Sequence, residues 1–135
     1  MQYITGIHAL NLPCSLLTGG DWHRSALQWE RPRFQESEGS LYGDYGIEYC
    51  SCIPENEGTY AVANHIRALL DLIEIGNFGL AQGMNKNYIS NNDYNEEVFD
   101  KVALMKDFTN WSEIDKFMGL EYYGKWLAYK DGKGI

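Results

Sequence analysis

The sequence predicts a single α+β domain, with an irregular N-terminal sheet region at about residues 1–57 covered by three or four C-terminal helices. The chain has 135 residues, the usual size of one compact domain. Its hydrophobic fraction of 44% is large enough for a packed core. All three prolines lie before residue 57, whereas apolar residues recur with a helical period after it. A mainly helical domain with irregular N-terminal loops is the alternative.

Short strands are predicted in the N-terminal region. Residues 3–7 are rich in aromatic and β-branched side chains, and residues 25–29 alternate apolar and polar positions as a half-buried strand does. Residues 41–49 include two glycines, which indicates a strand with a tight turn or a bulge. Residues 7–12 fit either a short helix or a turn.

A first helix is predicted from Thr59, which can cap it, to Gly76, which provides a stop. Arg67 precedes Asp71 by four residues and Glu74 by seven, a spacing typical of ion pairs on an exposed helix surface. The apolar face of this helix follows the 3.6-residue period and comprises Val62, Ile66, Leu69, Leu70 and Ile73.

Two more helices are predicted after a loop at residues 77–92. Asp93 and Glu96 have the spacing of a capping box, which marks the start of the second helix. Asn110 marks the start of the third, which we expect to end or kink at Gly119.

The end of the chain is predicted to be less regular. Residues 120–127 fit either a fourth short helix or a closing strand. Residues 130–134 contain two glycines among charged residues, and we expect them to form a mobile tail.

The charge excludes several classes of partner. Nineteen acidic residues against eleven Lys and Arg give a net charge of −8. Generic binding to a nucleic-acid backbone or to an anionic membrane needs a concentrated positive field, so we expect neither. No apolar run reaches the roughly 18–20 residues of a membrane span, and the N-terminus lacks the pattern of a secretory signal.

The three cysteines indicate a reducing compartment, because an odd number in a chain with a core of its own does not suit a disulfide scaffold. We therefore expect a cytoplasmic protein. Cys50 and Cys52 are separated by one residue, which is shorter than the usual spacing of a structural zinc site. Phosphate-binding, dinucleotide-binding and metalloprotease motifs are absent from the sequence, so no cofactor or metal is predicted.

One loop collects several side chains that could carry chemistry. Asp21, His23 and Arg24 directly follow a pair of glycines, and together they could line a pocket in which His23 acts as a general base. His8 and His65 are further candidates for this pocket. The alternative is structural: the loop is anchored in the core, and the histidines hydrogen-bond the backbone.

Residues 30–57 form an acidic stretch, with seven acidic and two basic residues interleaved with aromatic ones. A solvated loop region would explain this composition. A contact surface for a basic protein is the other interpretation, because aromatic side chains supply contact area and carboxylates steer the encounter. The candidate contact residues are Glu36, Glu38, Tyr42, Asp44 and Tyr45.

Five blocks of the sequence resemble a family of short, uncharacterised bacterial proteins. They are YITGIHALNLP (3–13), GDWH (20–23), ALQW (26–29), NHIRALLD (64–71) and IDKFMG (114–119). The resemblance covers most of the chain and implies a bacterial protein encoded in mobile-element, toxin–antitoxin or defence loci. The family has no assigned activity, so the resemblance implies no catalytic residue.

Three functions are compatible with the sequence. The first is a small acidic binding module of the cytoplasm that modulates or neutralises a basic partner protein, as an antitoxin does. The second is an enzyme or small-ligand-binding protein with a pocket around Asp21, His23 and Arg24. The third is a homo-oligomer whose exposed aromatic residues form the interface between subunits.

Overall fold

The computed structural model describes residues 1–20 and 28–135, apart from the side chain of Cys50. These residues form an α+β domain, as the sequence predicts, with a small N-terminal sheet and a helical C-terminal part. The strands are β1 (Gln2–Ile4), β2 (Phe34–Glu36), β3 (Ile47–Ser51) and β4 (Tyr60–Ala63). The α-helices are α1 (Gly6–Leu10), α2 (His65–Glu74), α3 (Phe78–Ala81), α4 (Asn95–Ala103), α5 (Trp111–Tyr122) and α6 (Gly124–Lys133). A π-helix (Met84–Ile89) and a 3₁₀ turn (Asn92–Tyr94) lie between α3 and α4.

The sheet has the strand order β2-β1-β4-β3, so β1 and β4 are its central strands. β1 pairs in parallel with β4, and Ile4 lies opposite Val62. The two outer pairs, β1 with β2 and β3 with β4, are antiparallel. The parallel strands β1 and β4 are each followed by a helix, α1 and α2, and these two helices pack against each other. The chain leaving α1 therefore passes the N-terminus of α2.

The first predicted helix begins later than expected, because residues 60–63 form β4 instead. Pairing with both β1 and β3 outweighs the local helical period of these residues, and the sheet region consequently extends past residue 57. Asn64, not Thr59, caps α2, and its side-chain oxygen accepts from the Arg67 amide at 2.9 Å. The predicted stop at Gly76 is confirmed, with a φ of +79° just past the helix end.

Other boundaries also differ from the prediction. β1 ends at Ile4, so Gly6 and Ile7 belong to α1 and not to the predicted strand. Of the two alternatives for residues 7–12, the structure has the short helix, which ends at Leu10. Residues 40–46 are a series of turns that lead into β3. Of the strand expected at residues 25–29, residues 25–27 lie outside the described part of the chain, and Trp29 is buried in a turn.

The C-terminal part is more helical than predicted. Residues 77–92, expected to be a loop, contain α3 and the π-helix. α5 continues through Gly119 to Tyr122, so the end or kink predicted at this glycine is wrong as an end of the helix. The tail at residues 130–134, expected to be mobile, belongs mostly to α6, which ends at Lys133. Within the described residues, no helix has the length and apolar character needed to cross a membrane.

The predicted surface pairing of Arg67 is wrong, because Arg67 and Asp71 are 0% and 2% exposed. Asp71 accepts from Arg67 Nε at 2.9 Å with one oxygen and from the hydroxyls of Tyr3 and Thr5, both at 2.6 Å, with the other. The i,i+4 spacing is the same on a buried helix face as on an exposed one, so spacing alone cannot distinguish them.

The other donors of the Arg67 guanidinium hold the turns of residues 40–46 against α2. Its Nη1 donates to the carbonyl oxygens of Gly43 and Tyr45, both at 2.7 Å. Its Nη2 donates to the Tyr3 hydroxyl at 2.9 Å and to Ser40 Oγ at 3.2 Å. All five N–H groups of the side chain are thereby satisfied, which is what a buried guanidinium requires.

Candidate functional site

The segment that leaves α1 brings Cys14 and Thr18 to His65, the first residue of α2. The approach is close at Gly20, which has a φ of +68°. A Cβ at this position would lie 2.7 Å from His65 Cε1, so only glycine fits. The Gly20 amide donates to the Tyr88 carbonyl at 2.9 Å, which fixes the end of the segment. We refer to Cys14, Thr18 and His65 as the thiol site.

The three side chains of the thiol site form a continuous chain of hydrogen bonds. His65 Nε2 lies 2.6 Å from the Leu12 carbonyl oxygen, and because a carbonyl can only accept, Nε2 carries the proton. In the neutral ring His65 Nδ1 is then an acceptor, and Thr18 Oγ1 donates to it at 2.5 Å. Cys14 Sγ lies 3.6 Å from Thr18 Oγ1 and donates to it in turn. The chain therefore leads from the thiol to the imidazole.

The electrostatics of the site favour charge separation between the thiol and the imidazole. Burial raises the pKa of the Cys14 thiol, but the interaction with His65 and the hydrogen bond to Thr18 lower this pKa by more. Burial lowers the pKa of His65, but Cys14, the Leu12 carbonyl and the charge of Glu48 raise it above its ordinary value. Both shifts stabilise a thiolate beside an imidazolium.

A cavity of about 230 Å³ opens beside Cys14, between the α1–Gly20 segment and the β3 edge of the sheet. Glu48 on β3 accepts from the Ser15 amide at 3.0 Å and from Ser15 Oγ at 2.5 Å, which holds the segment to the sheet. Cys14 is half-buried and Cys52 is exposed. The residues lining the cavity are Leu12, Pro13, Cys14, Glu48, Ser51, Cys52, Val62 and Ala63.

The surroundings of Cys14 suit an attacking thiolate, and several nearby amides are already occupied. Acyl transfer needs free N–H donors for the oxyanion that develops during the reaction. Three amides of this segment are occupied: Ser15 N donates to Glu48, Leu17 N to the Cys14 carbonyl, and Gly20 N to the Tyr88 carbonyl. Thiol–disulfide exchange needs a thiolate and access. The site lowers the pKa of the Cys14 thiol, and the cavity beside Cys14 provides the access.

The predicted pocket is only partly described. Asp21, His23 and Arg24 lie outside the described residues. The structural alternative fits His8: its Nε2 donates to the Gln28 carbonyl at 3.3 Å, and its Nδ1 accepts from the Arg33 amide at 3.2 Å. The His8 ring also packs edge-on against Trp29, with ring centroids 5.0 Å apart.

Among the described residues, the rings of His65 and His8 share no hydrogen-bond partner. Sequence reasoning named His65 but missed Cys14 and Thr18. His65 follows Cys14 by 51 positions, and no motif links the two residues. Only the packing of α1 against α2 brings them together.

The predicted contact residues for a basic partner differ in their accessibility. Glu36 and Glu38 both lie beside the N-terminal amine, and the side chain of Glu38 is 88% exposed. Asp44 is exposed as well. Tyr42 is buried, contrary to a role as a surface contact, because its hydroxyl donates to the Lys101 carbonyl at 2.8 Å. Tyr45 is half-buried, and its hydroxyl donates to Glu97.

Comparisons with known proteins identify no relative. No family model matches the sequence, and neither a curated protein nor a solved structure matches the chain. The resemblance to short bacterial proteins therefore stays an expectation. In the part of the chain that the structure describes, no three His, Cys, Asp or Glu side chains are grouped so that they could hold a metal ion.

Proposed function

We propose that this protein is a cytoplasmic thiol enzyme that carries out thiol–disulfide exchange through Cys14. The observation behind the proposal is the hydrogen-bond chain from Cys14 through Thr18 to His65, which opens onto a cavity. A reducing compartment would keep Cys14 as a free thiol between reactions. The proposal retains the enzyme alternative of the sequence but moves its site from Asp21, His23 and Arg24 to the thiol site.

The proposed reaction begins with proton transfer along the hydrogen-bond chain. The thiol proton of Cys14 moves to Thr18 Oγ1 as the Thr18 hydroxyl proton moves to His65 Nδ1. The thiolate then attacks one sulfur of a low-molecular-weight disulfide. A new S–S bond forms at Cys14, the original S–S bond breaks, and the departing thiolate takes the proton from His65. One disulfide is consumed, and one mixed disulfide and one low-molecular-weight thiol are formed. A second low-molecular-weight thiol, abundant in a reducing compartment, then attacks the mixed disulfide and releases Cys14 as a thiol.

The pH dependence of the reaction of Cys14 with 2,2′-dithiodipyridine tests the proposal. The measurement uses a protein in which Cys50 and Cys52 are both replaced by Ser, so that only Cys14 reports. We expect the rate to rise with pH through an inflection below the ordinary cysteine pKa of about 8.5. The reason is that the thiolate, which the site stabilises, is the reacting form.

Thr18→Val tests whether the Thr18 hydroxyl relays the proton or whether Thr18 only supports the local structure. Valine keeps the shape of threonine and removes the hydroxyl. We expect this variant to raise the inflection and to slow the reaction at pH 7 by about tenfold, the equivalent of one pKa unit. Thr18→Ser should restore the wild-type profile, and Thr109→Val, at an exposed threonine, should leave it unchanged. Identical profiles for Thr18→Val and wild type would refute the proposal.

The second candidate function is the acidic binding module that modulates a basic partner protein. It is favoured by the exposure of Glu38 and Asp44, which leaves both carboxylates accessible to a positively charged surface. With Tyr42 buried and Tyr45 half-buried, the contact would rest mainly on the carboxylates, which include the exposed Glu36. A stoichiometric partner that co-purifies with the wild type and is lost from Glu38→Lys/Asp44→Lys would support this function. Recovery of no such partner from native cells would count against it.

The third candidate function, that of a homo-oligomer, is tested by measuring the molecular mass of the protein in solution. Light scattering on the purified chain across a range of concentrations gives the mass directly. A mass of 15.5 kDa at every concentration would exclude this function.

A further inference from the structure

One carboxylate lies at the cavity beside Cys14, in a lining that has no positive charge. Glu48 on β3 lines this cavity and accepts from the amide of Ser15, the residue after Cys14, at 3.0 Å. Among the described residues that line the cavity, none has an amine or a guanidinium group. A substrate that reaches Cys14 therefore meets the Glu48 carboxylate close to the reacting sulfur.

The charge of Glu48 is not neutralised by its partners. Its hydrogen-bond donors are the amide and the hydroxyl of Ser15, which are both uncharged. In the described part of the chain, no cationic side chain and no terminal amine lies within 4.0 Å of this carboxylate. The charge of Glu48 also helps to raise the pKa of His65. A thiolate at Cys14 and an imidazolium at His65 cancel each other, so Glu48 leaves these groups with one net negative charge.

The rest of the lining suits a short aliphatic group. The apolar side chains around the cavity are those of Leu12, Pro13, Val62 and Ala63. The volume of about 230 Å³ is below the roughly 300–1,000 Å³ of sites for drug-sized ligands. A compact disulfide with short aliphatic arms therefore fits this cavity better than a peptide disulfide does.

We propose that the thiol site selects small disulfides that carry amines, with a protonated amine at the Glu48 carboxylate and the reacting sulfur at Cys14. This inference rests on the proposed thiol–disulfide exchange and names its class of substrate. Charge complementarity carries the choice, because the carboxylate attracts an ammonium group and repels an anionic one.

The amine takes no covalent part in the reaction. The Cys14 thiolate forms a new S–S bond with one sulfur of the substrate, and the original S–S bond breaks. The departing aminothiolate takes the proton from His65. One disulfide thus gives one mixed disulfide at Cys14 and one free aminothiol.

Three short disulfides of different charge test the proposal: cystamine is a dication, bis(2-hydroxyethyl) disulfide is neutral, and 3,3′-dithiodipropionate is a dianion. Mass spectrometry follows the mixed disulfide at Cys14 at pH 7, in the protein with Cys50→Ser and Cys52→Ser. The ionic strength is about 0.1 M, at which charges more than about 10 Å away are largely screened. Each rate is divided by the rate of 2-mercaptoethanol with the same disulfide, which removes differences in intrinsic reactivity. We expect the normalised rate to be about tenfold higher for cystamine than for dithiodipropionate.

Glu48→Gln keeps an acceptor for Ser15 and removes the charge, so the ratio of the cystamine rate to the dithiodipropionate rate should fall to about twofold. A change in the thiolate fraction of Cys14 affects both rates equally and cancels in this ratio. Ser51→Lys places the opposite charge on the cavity wall, leaves the Glu48–Ser15 hydrogen bonds in place and should also lower the ratio. The control is Glu113→Gln, at an exposed glutamate of α5 outside the cavity, which should leave the ratio unchanged.

Failure of this inference differs from failure of the proposed function. Equal normalised rates for the three disulfides, all well above one, would overturn the preference for amines and leave exchange through Cys14 standing. A wild-type ratio retained in both Glu48→Gln and Ser51→Lys would overturn it as well. If no normalised rate exceeds one, Cys14 is an ordinary thiol, and the proposed function and this inference fall together.

Discussion

The N-terminal and C-terminal halves of the molecule are stabilised by different kinds of buried contact. Around Arg67, the N-terminal half buries charged and polar groups, and every N–H of the guanidinium has an acceptor. The C-terminal half is built on aromatic packing, with the ring of Phe99 centred 4.8 Å from Tyr122 and 5.3 Å from Trp126. There, Tyr122 is buried with a hydroxyl that has no partner in the described part of the chain.

The two kinds of contact restrict the positions of the side chains and of the backbone to different degrees. Directional bonds fix the positions of the turns and strands around Arg67, and the thiol site is built on the same helix, α2. Aromatic contacts are less directional, so the helical half tolerates an unpaired hydroxyl and a strained Tyr123. The proposed thiol chemistry thus lies in the half whose geometry is fixed by directional hydrogen bonds.

The largest effect on stability is expected from Arg67→Met, which removes the guanidinium at the centre of the buried polar contacts in the N-terminal half. It leaves the Asp71 carboxylate buried without its cation, a loss of about 3–5 kcal/mol in the free energy of unfolding. Urea denaturation followed by circular dichroism measures this change. Arg31→Met, at an exposed arginine, is the control and should stay within about 0.5 kcal/mol. A loss below about 1 kcal/mol for Arg67→Met would mean that the network is not needed for stability.

A pair of identical substitutions compares the two halves directly. Tyr3→Phe removes a hydroxyl that donates to Asp71 and accepts from Arg67, so the unfolding free energy should fall by about 1.5–3 kcal/mol. Tyr122→Phe removes the unpartnered hydroxyl, and stability should rise or stay the same. Chemical denaturation of both variants measures the sign of each change. Equal losses in the two variants would contradict the contrast between the halves.

The smallest effect is expected from Tyr123→Gly, because glycine adopts a positive φ without strain. Little packing is lost with a side chain that is 62% exposed, so the unfolding free energy should rise by about 0.5–1 kcal/mol. Thermal unfolding measures the gain. Tyr49→Gly, at a tyrosine of similar exposure within β3, should instead destabilise. A destabilised Tyr123→Gly would show that the strain is compensated by packing.

The sequence was informative where structure depends on near neighbours. The stop at Gly76 and the helix beginning beside Asn110 follow from local signals, and the structure has both. β4 was mistaken for the start of a helix because its partners, β1 and β3, are distant in sequence. Helical period is measured within one segment and carries no information on such pairing.

The candidate sites depended even more on distant contacts. The histidine of the thiol site was identified, but its link to Cys14 requires the packing of α1 on α2. The acidic stretch was recognised by its composition. Composition does not show which side chains are buried, so it did not reveal that Tyr42 belongs to the core.

The hydrogen bonds from Arg67 to residues 40–46 limit which changes of sequence length this part of the chain can accept. Irregular surface segments usually accept insertions and are the places where proteases cut and chains can be permuted. Here the carbonyl oxygens of Gly43 and Tyr45 are acceptors for a buried guanidinium, so lengthening or opening the segment removes both acceptors together. Although residues 40–46 contain no helix or strand, we expect them to resist insertion and proteolytic cleavage more than an ordinary surface turn does.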